Sequence, residues 1–237
     1  MRLERILHCQ GFGSRKACRS MIRNGRVRIA GRIIDDPFAE LSTAELVFTV
    51  DEQTWSYRDK AYLALNKPAG YECSHRPQCH PSVFALLPAP LVARGVQCVG
   101  RLDQDTTGLL LLSDDGQFIH RWSSGKKNVP KVYEASTAKA VTDAQIQALL
   151  SGVRLNGEPA PVRAVTCERL AEHALRLTVT EGKYHQIKRM VAAAGNHVER
   201  LHRSKIGGFA LPPDLAPGQW RWLTNTDLAA LGAFVSP

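Results

Sequence analysis

Apolar residues in the first part of the chain recur at helical spacing and then alternate. The segment "RLERILHCQG" predicts a helix whose apolar face is formed by Leu3, Ile6 and Leu7. Ser14 is a suitable N-cap for a second helix that ends near Gly25; its expected inward residues are Ala17, Met21 and Ile22. "VRIAGRII" alternates around Ala30-Gly31, which predicts a tight hairpin. We therefore predict a small helix–helix–hairpin domain over residues 1–50.

The rest of the chain has mostly strand-like patterns. Thr49–Lys60 is polar without a sustained helical period, which favours a linker over residues 51–60. Beyond it, "YLALN", "LLLLS", "VYEAST", "VRAVTCERL" and "LRLTVT" read as strands, and "TDAQIQALLSG" and "HQIKRMVAAAGN" as amphipathic helices. Strands outnumber helices and do not alternate regularly with them. The pattern predicts an α+β protein with a larger, mainly antiparallel domain over residues 61–237.

Basic charge is concentrated in the first segment. The chain carries 31 Lys and Arg against 22 Asp and Glu, a formal net charge of +9, and Glu4 is the one acid before Asp35. Helical spacing collects Lys16, Arg19, Arg23 and Arg26 into what we call the basic ridge. We predict that nucleic acid binds here, through Arg15, Lys16, Arg19, Arg23, Arg26 and Arg28. The alternative is an ordinary solvated helix face.

Composition also bears on location and partners. No apolar run approaches the ~20 residues that span a bilayer, and the N-terminus "MRLERILHCQ" is too charged for a secretory signal. Six scattered cysteines read as reduced thiols. We therefore expect a cytoplasmic protein without a membrane partner, acting as a monomer.

The stretch "VGRLDQDTTGLLLLSDDG" holds four carboxylates that need a reason to lie beside an apolar run. The pair Asp114-Asp115 precedes Gly116 and is most simply a turn or a helix cap. Asp103 and Asp105 are two apart in an extended loop, so they are expected to point in opposite directions. Asp103 is the candidate nucleophile, presented on a loop anchored by the following strand. A structural aspartate is equally consistent with these residues alone.

A buried aspartate needs a positive partner to stay ionised. In "HQIKRMVAAAG" the predicted core stripe is formed by Ile187, Val191 and Ala194. Lys188 lies on the flank of that stripe, where a long side chain can reach a buried carboxylate. Arg189 is expected to face outward and to bind RNA phosphate. A solvated Lys188 is the alternative.

Four stretches in order resemble the motifs of the pseudouridine synthases that carry an S4 RNA-binding domain. They are "LNKPAGYECS", "GRLDQDTTGLLLLSDDG", "KVYEA" and "EGKYHQIKRMVAAAGNHVERLHR", and "SRKACRSMIRNGRVRIAGRII" resembles the S4 domain itself. The resemblance implies the synthase fold and the isomerisation of an extruded uridine, without cofactor or metal. It implies that Asp103 is the catalytic carboxylate, that Tyr133 stacks on the base, and that Lys188 is the basic partner where relatives commonly have arginine.

The resemblance also bears on the target. "YHQIKRM" and "LHRSKIGG" are most similar to the enzymes that modify uridine 516 of 16S rRNA, which implies ribosomal RNA or an assembling small ribosomal particle as partner. The alternatives are a synthase acting on 23S rRNA, or a non-catalytic RNA-binding or assembly factor on the same fold.

The remaining polar candidates receive lesser roles. Arg101 is predicted to contact RNA. Lys67, before Pro68, is predicted to contact RNA or to support the loop, and an ordinary surface lysine in a turn is the alternative. His185 is predicted to lie on the outward face, as a hydrogen-bonding or RNA-contacting residue. The four possible zinc ligands of "ECSHRPQCH" lack the spacing of a zinc site, so we expect no metal there; they are Cys73, His75, Cys79 and His80.

Overall fold

The computed structural model describes residues 1–233 and divides into two compact units. The first unit is Met1–Ala61 together with Leu87–Gln97, and the second is Tyr62–Leu86 together with the chain from Cys98 onward. The return of Leu87–Gln97 to the first unit has no counterpart in the sequence prediction, which assigned everything beyond residue 60 to one domain.

The first unit has the predicted helix–helix–hairpin order. Its elements are α1 (Leu3–Cys9), α2 (Arg15–Arg23), β1 (Val27–Ile29), β2 (Arg32–Ile33), β3 (Val47–Val50), β4 (Gln53–Ser56) and α3 (Ala89–Ala93). The strands form a four-stranded sheet in the order β2-β1-β3-β4. Ser14 caps α2 by accepting the Ala17 N–H at 3.2 Å. The hairpin turns at Ala30 and Gly31, whose φ values are 48° and 78°.

Two local expectations for the first unit were wrong. The predicted linker over residues 51–60 contains β4, which pairs with β3 and so belongs to the first sheet. In α2 the inward small residue is the buried Cys18, whereas Ala17 is exposed. Helices α1 and α2 and the sheet enclose one apolar cluster formed by Leu3, Ile6, Leu7, Cys18, Ile22, Val27, Phe48 and Val50.

The second unit is built on one nine-stranded sheet. Its strands are β5 (Tyr62–Lys67), β6 (Gln97–Val99), β7 (Thr107–Ser113), β8 (Lys131–Thr137), β9 (Thr166–Ala171), β10 (Ala174–Val179), β11 (Val198–Ile206), β12 (Phe209–Ala210) and β13 (Trp220–Trp222). The order is β13-β5-β7-β11-β8-β10-β9, with β12 beside β11 and β6 beside β7. The pair β7–β11 is parallel, whereas β5–β7, β8–β11 and β8–β10 are antiparallel. The predicted α+β class with a mainly antiparallel sheet is confirmed.

Four helices complete the second unit: α4 (Gly116–Ser123), α5 (Asp143–Ser151), α6 (Gln186–Ala193) and α7 (Asn225–Gly232). Asp115 caps α4 by accepting the Gln117 N–H at 2.9 Å, so its predicted structural role is confirmed. Thr142 and Gln145 form a capping box at the start of α5. Within residues 1–233, no helix has both the length and the apolar character needed to cross a bilayer.

The centre of the sheet explains the unbroken apolar run. Leu109, Leu110, Leu111 and Leu112 of β7 are all fully buried, because both faces of this central strand are covered. The neighbouring strand β11 was not predicted, since "VERLHRSKI" mixes charged residues with its buried positions. These two parallel strands position the candidate site.

Candidate active site

The loop between β6 and β7, which carries Asp103 and Asp105, is held from behind by Lys67. This side chain at the end of β5 is fully buried, and its Nζ donates to the main-chain oxygens of Pro68, Asp103, Gln104 and Thr106 at 2.9–3.1 Å. Burial lowers the pKa of Lys67, against the opposing effect of Cys73 and the two aspartates. The prediction that Lys67 contacts RNA was wrong, because no part of it reaches the surface; the other predicted role, support of the loop, is the one observed.

The same loop is fixed at its other end by a close approach at Gly108. This residue has φ +101°, and a Cβ there would lie 2.4 Å from the Arg203 carbonyl oxygen and 2.9 Å from the Arg203 nitrogen. Glycine is therefore required where β7 begins to run beside β11. Thr107 Oγ1 and His202 Nδ1 share a further hydrogen bond here, at 2.9 Å.

Two basic side chains of one segment face the Asp103 carboxylate. His185 Nε2 lies 3.3 Å from Oδ1, and Lys188 Nζ lies 3.7 Å from Oδ2. Lys188 thus reaches Asp103 from the flank of α6, as expected. The approach of His185 was not predicted: this residue has φ 46°, which turns its ring toward Asp103 and stacks it on Tyr184, with ring centroids 3.9 Å apart. Helical periodicity gives no signal for such a residue, since it precedes the first turn.

The structure corrects the expected relation between the two aspartates. Lys188 Nζ donates to Asp105 Oδ1 and Oδ2 at 2.6 and 2.7 Å, so Asp105 is its nearer partner and Asp103 its second. Burial works to raise the pKa of Asp105, but the hydrogen bond and charge of Lys188 outweigh it and the pKa is lowered. Both aspartates therefore point to one cation, and Asp103 keeps 32% of its side chain exposed rather than being buried.

A pocket opens in front of Asp103 within the second unit. Its walls include Leu102, Asp103, Thr106, Tyr133, His185 and Arg203. Tyr133 comes from β8, and its hydroxyl oxygen accepts from Nη1 of the buried Arg203 at 3.4 Å. The guanidinium of Arg203 also lies 6.0 Å from the centre of the Tyr133 ring. The aspartate and the tyrosine singled out from the sequence therefore share one cavity.

The two other predicted RNA contacts of this unit fare differently. Arg101 is exposed and lies at the pocket wall. Arg189 does not face outward freely: its Nη1 donates to Tyr184 O at 3.2 Å, and its Nη2 donates to Asn156 O. Glu158 lies 3.9 Å from the same guanidinium. The prediction that Arg189 is a free phosphate contact was wrong, because it ties the segment before α6 to a neighbouring loop.

In the first unit, the basic ridge is only partly free. Arg19 forms an ion pair with the buried Glu4 and lies over the Phe38 ring at 5.3 Å. Arg26 forms a bidentate ion pair with Asp51. Five of the six predicted RNA-binding residues here are exposed: Arg15, Lys16, Arg23, Arg26 and Arg28. Of these five, Arg26 is the one engaged in its pair with Asp51. The expectation of a ridge almost without acids was therefore wrong, since Glu4 and Asp51 come from other parts of the chain.

The cysteine- and histidine-containing loop is organised without a metal-ligand arrangement. Glu72 accepts the backbone N–H groups of Gln78, Cys79 and His80 at 2.9–3.0 Å. His75 stacks on Phe84, with ring centroids 3.6 Å apart. In residues 1–233, no group of three or more His, Cys, Asp or Glu side chains is placed to hold a metal ion.

Comparison with known proteins agrees with both units. Residues 61–193 match the family model described as RNA pseudouridylate synthase, and residues 1–43 match the S4 domain. The chain is 38% identical over 231 residues to ribosomal small subunit pseudouridine synthase A of Escherichia coli strain K12, covering 98% of this chain and 100% of that protein. The protein of the same name from Haemophilus influenzae is 36% identical over 231 residues, covering 98% and 99%.

A solved structure gives the same result. A crystal structure of a pseudouridylate synthase superposes with a TM-score of 0.69 at 35% identity, covering 98% of this chain and 99% of that one. The matched segment 61–193 contains the Asp103 loop, Tyr133 and Lys188. On this evidence the chain belongs to the RNA pseudouridylate synthase family and carries an S4 domain ahead of its synthase domain.

Proposed function

We propose that this chain converts uridine to pseudouridine in the ribosomal RNA of the small subunit, with uridine 516 of 16S rRNA as its target. The carboxylate of Asp103 carries the proposal, because its loop is fixed by Lys67 while its side chain faces the pocket beside His185 and Lys188. A carboxylate held in this way can attack or stabilise the reacting nucleoside. The full-length similarity to synthases named for the small ribosomal subunit supports the choice of RNA.

The roles that we propose for the other residues follow from the pocket. Tyr133 stacks on the extruded base, and Lys188 pairs with Asp103 while sharing its charge with Asp105. Extrusion is needed because the bond between base and sugar is out of reach in a stacked nucleotide. Arg101 meets a phosphate near the pocket.

We further propose a division of labour between residues 1–50, which bind RNA through Arg15, Lys16, Arg23 and Arg28, and residues 61–237, which carry out the isomerisation. The exposed cations suit a surface that binds phosphate and sugar rather than base edges. The substrate is 16S rRNA or an assembling particle that contains it. The protein acts in the cytoplasm as a monomer, without a membrane partner.

The test measures pseudouridine in 16S rRNA, free or in an assembling particle, by carbodiimide-dependent primer-extension stops. The parent chain is expected to produce a stop at the target uridine, and Asp103→Asn to produce none while RNA affinity is kept. Asp105→Asn is the matched control in the same loop and retains turnover, because Lys188 can still neutralise Asp103. A parent chain that modifies no ribosomal RNA would contradict the proposal and favour a non-catalytic RNA-binding factor, whereas a stop in 23S rRNA would contradict the target.

A further inference from the structure

The guanidinium of Arg203 has one buried nitrogen that finds no acceptor among the described residues. The residue is 2% exposed. Its Nε donates to Leu109 O at 2.8 Å and its Nη1 to Tyr133 Oη at 3.4 Å. Within residues 1–233, Nη2 is buried without a hydrogen-bond partner. Leaving such a donor unpaired costs free energy, and more so for a charged group, which indicates that a bound molecule supplies the acceptor.

A second unpaired polar atom lies in the same pocket wall. Thr106 is 1% exposed, and its Oγ1 also lacks a partner in the described part of the chain. Both Thr106 and Arg203 line the cavity that contains Asp103. The pocket therefore offers one group that can only donate, and one hydroxyl that can donate or accept.

Uracil has the complementary edge. Its N3–H donor is flanked by the carbonyl oxygens O2 and O4, whereas cytosine carries an amino group in place of O4. We propose, on the basis of the function proposed above, that Arg203 Nη2 donates to a carbonyl oxygen of the extruded uracil and that Thr106 Oγ1 accepts its N3–H. Arg203 and Thr106 then read the base that enters the pocket.

This contact also acts on the reaction itself. When the bond between C1′ and N1 breaks, its electron pair leaves with the base, and the negative charge is shared by O2 and O4. After the base turns, C5 bonds to C1′, the C5 proton leaves, and N1 takes up a proton, so that the product is an isomer of the substrate. Arg203 is a catalytic residue in this step because its positive charge faces the anion that exists between the two bonds.

A second buried cation reinforces this assignment. Lys131 at the start of β8 is 6% exposed and lines the same pocket. Its Nζ donates to Val129 O at 2.9 Å and to Thr180 O at 3.4 Å. Burial, and after it the nearby charge of Arg203, lower the pKa of Lys131 to about 8, against the opposing effect of Glu181. Two cations buried near one another are expected where a negative charge forms.

The experiment changes the base and the arginine separately. Affinities are measured in the non-turnover background Asp103→Asn, with and without Arg203→Met. The RNA is a 16S fragment with one of three nucleosides at the target position. These are uridine, the 2-pyrimidinone riboside that lacks O4, and 2-thiouridine. With Arg203 present, one of the two altered bases should weaken binding about 10- to 100-fold, as for a lost hydrogen bond to a charged group. With Arg203→Met the same alteration should have no effect.

The turnover rate distinguishes a catalytic role of Arg203 from a purely structural one. In the parent background, where Asp103 is unchanged, Arg203→Met should lower the single-turnover rate about 100-fold or more. This loss should well exceed the effect of Arg203→Met on RNA affinity. Arg203→Lys should recover part of the rate because it keeps the charge. Arg200→Gln, an exposed arginine of the same strand, is the matched control. If Arg203→Met does not fold, the same cycle is read with Arg203→Lys, which keeps the charge but lacks Nη2.

The outcomes separate the two proposals. For both altered bases, the effects of the base change and of Arg203→Met on RNA affinity could simply add. That result, in a parent chain that still makes pseudouridine, would overturn the role of Arg203. A parent chain that makes no pseudouridine in this RNA would instead overturn the proposed function.

Discussion

Lys67 Nζ lies 3.0 Å from the main-chain oxygen of Asp103, a residue 36 positions further along the chain. The lysine touches the backbone of the candidate nucleophile and not its carboxylate. It therefore sets where Asp103 stands and leaves the side chain to His185 and Lys188. The position of the carboxylate and its charge are controlled by different residues, which can be tested separately.

The Lys67→Met variant tests the control of position. The new side chain has a similar length but removes the ammonium that donates to four main-chain oxygens. We expect the free energy of unfolding to fall by about 3–5 kcal/mol, as for a broken buried charge network, and pseudouridine formation to be lost. Urea unfolding followed by far-ultraviolet circular dichroism gives the first quantity. Lys60→Met, at an exposed lysine, is the control; equal urea midpoints for the two variants would contradict the role of Lys67.

Gly108→Ala tests the close approach of β7 to β11. The new methyl group would meet the Arg203 carbonyl oxygen at 2.4 Å in a backbone with φ +101°, so the strands must separate and the loop carrying Asp103 must shift. We expect a loss of about 2 kcal/mol or more in stability, together with loss of turnover. Gly116→Ala is the control, because a Cβ there meets nothing within 4 Å at the first residue of α4. A thermal midpoint of Gly108→Ala equal to that of Gly116→Ala would refute the requirement.

Charge reversal tests RNA binding by the first unit. Arg15, Lys16 and Arg23 are exposed on or beside α2, so changing all three to Glu should leave the fold intact. The slope of log affinity against log salt should become shallower by about 2–3, since each phosphate contact releases about one counterion. The control reverses three exposed residues of the second unit, Lys139, Arg154 and Arg163, and so changes the net charge equally. Indistinguishable slopes for the two triple variants would show a general charge effect instead.

The pH dependence of stability tests the buried ammonium of Lys131. Its pKa falls from 10.5 to about 8 on folding, so between pH 8 and 10.5 the unfolded chain holds a proton that the folded chain has released. Stability contributed by this group therefore rises with pH in that window and is lowest below pH 8. Relative to Lys131→Met, the parent should gain about 3 kcal/mol between pH 7 and pH 10.5.

Chemical unfolding of both proteins at each pH supplies the measurement, and the difference between them cancels groups that titrate in both. Lys126→Met, at an exposed lysine, is the control, and its difference from the parent should not vary with pH. A constant difference between the parent and Lys131→Met across the window would be incompatible with a shifted Lys131.

Local chemistry made much of the framework predictable. Ser14, Thr142 and Asp115 cap helices because their short polar side chains reach backbone N–H groups of the next turn. The apolar run Leu109–Leu112 was read as a strand, and the structure covers this strand on both faces. Asp103, Tyr133 and Lys188 were singled out by the motif resemblance, and they lie on or near one pocket.

The contacts that were missed all depend on residues distant in sequence. From the sequence alone, Lys67 looks like a surface lysine. In the fold, four main-chain carbonyl groups of other residues surround its ammonium. Arg203 lies in β11, a strand that was not predicted because charged residues interrupt its apolar pattern. His185 reaches Asp103 through a backbone conformation that helical periodicity does not encode. Arg19 and Arg26 were expected to be free because Glu4 and Asp51 belong to other elements.

The position of β11 also has a consequence for the order in which the site is made. This strand lies between β7 and β8 in the sheet, although it follows both in the chain, and Arg203 reaches back 94 positions to Leu109. Chains fold from the N-terminus as they are synthesised, and pairings of such high sequence separation form late. A nascent chain that ends before β11 contains Asp103, Tyr133 and Lys188 but lacks the strand that completes the pocket wall. We therefore expect catalytic competence to arise only near the end of translation, long after α1 and α2 have emerged from the ribosome.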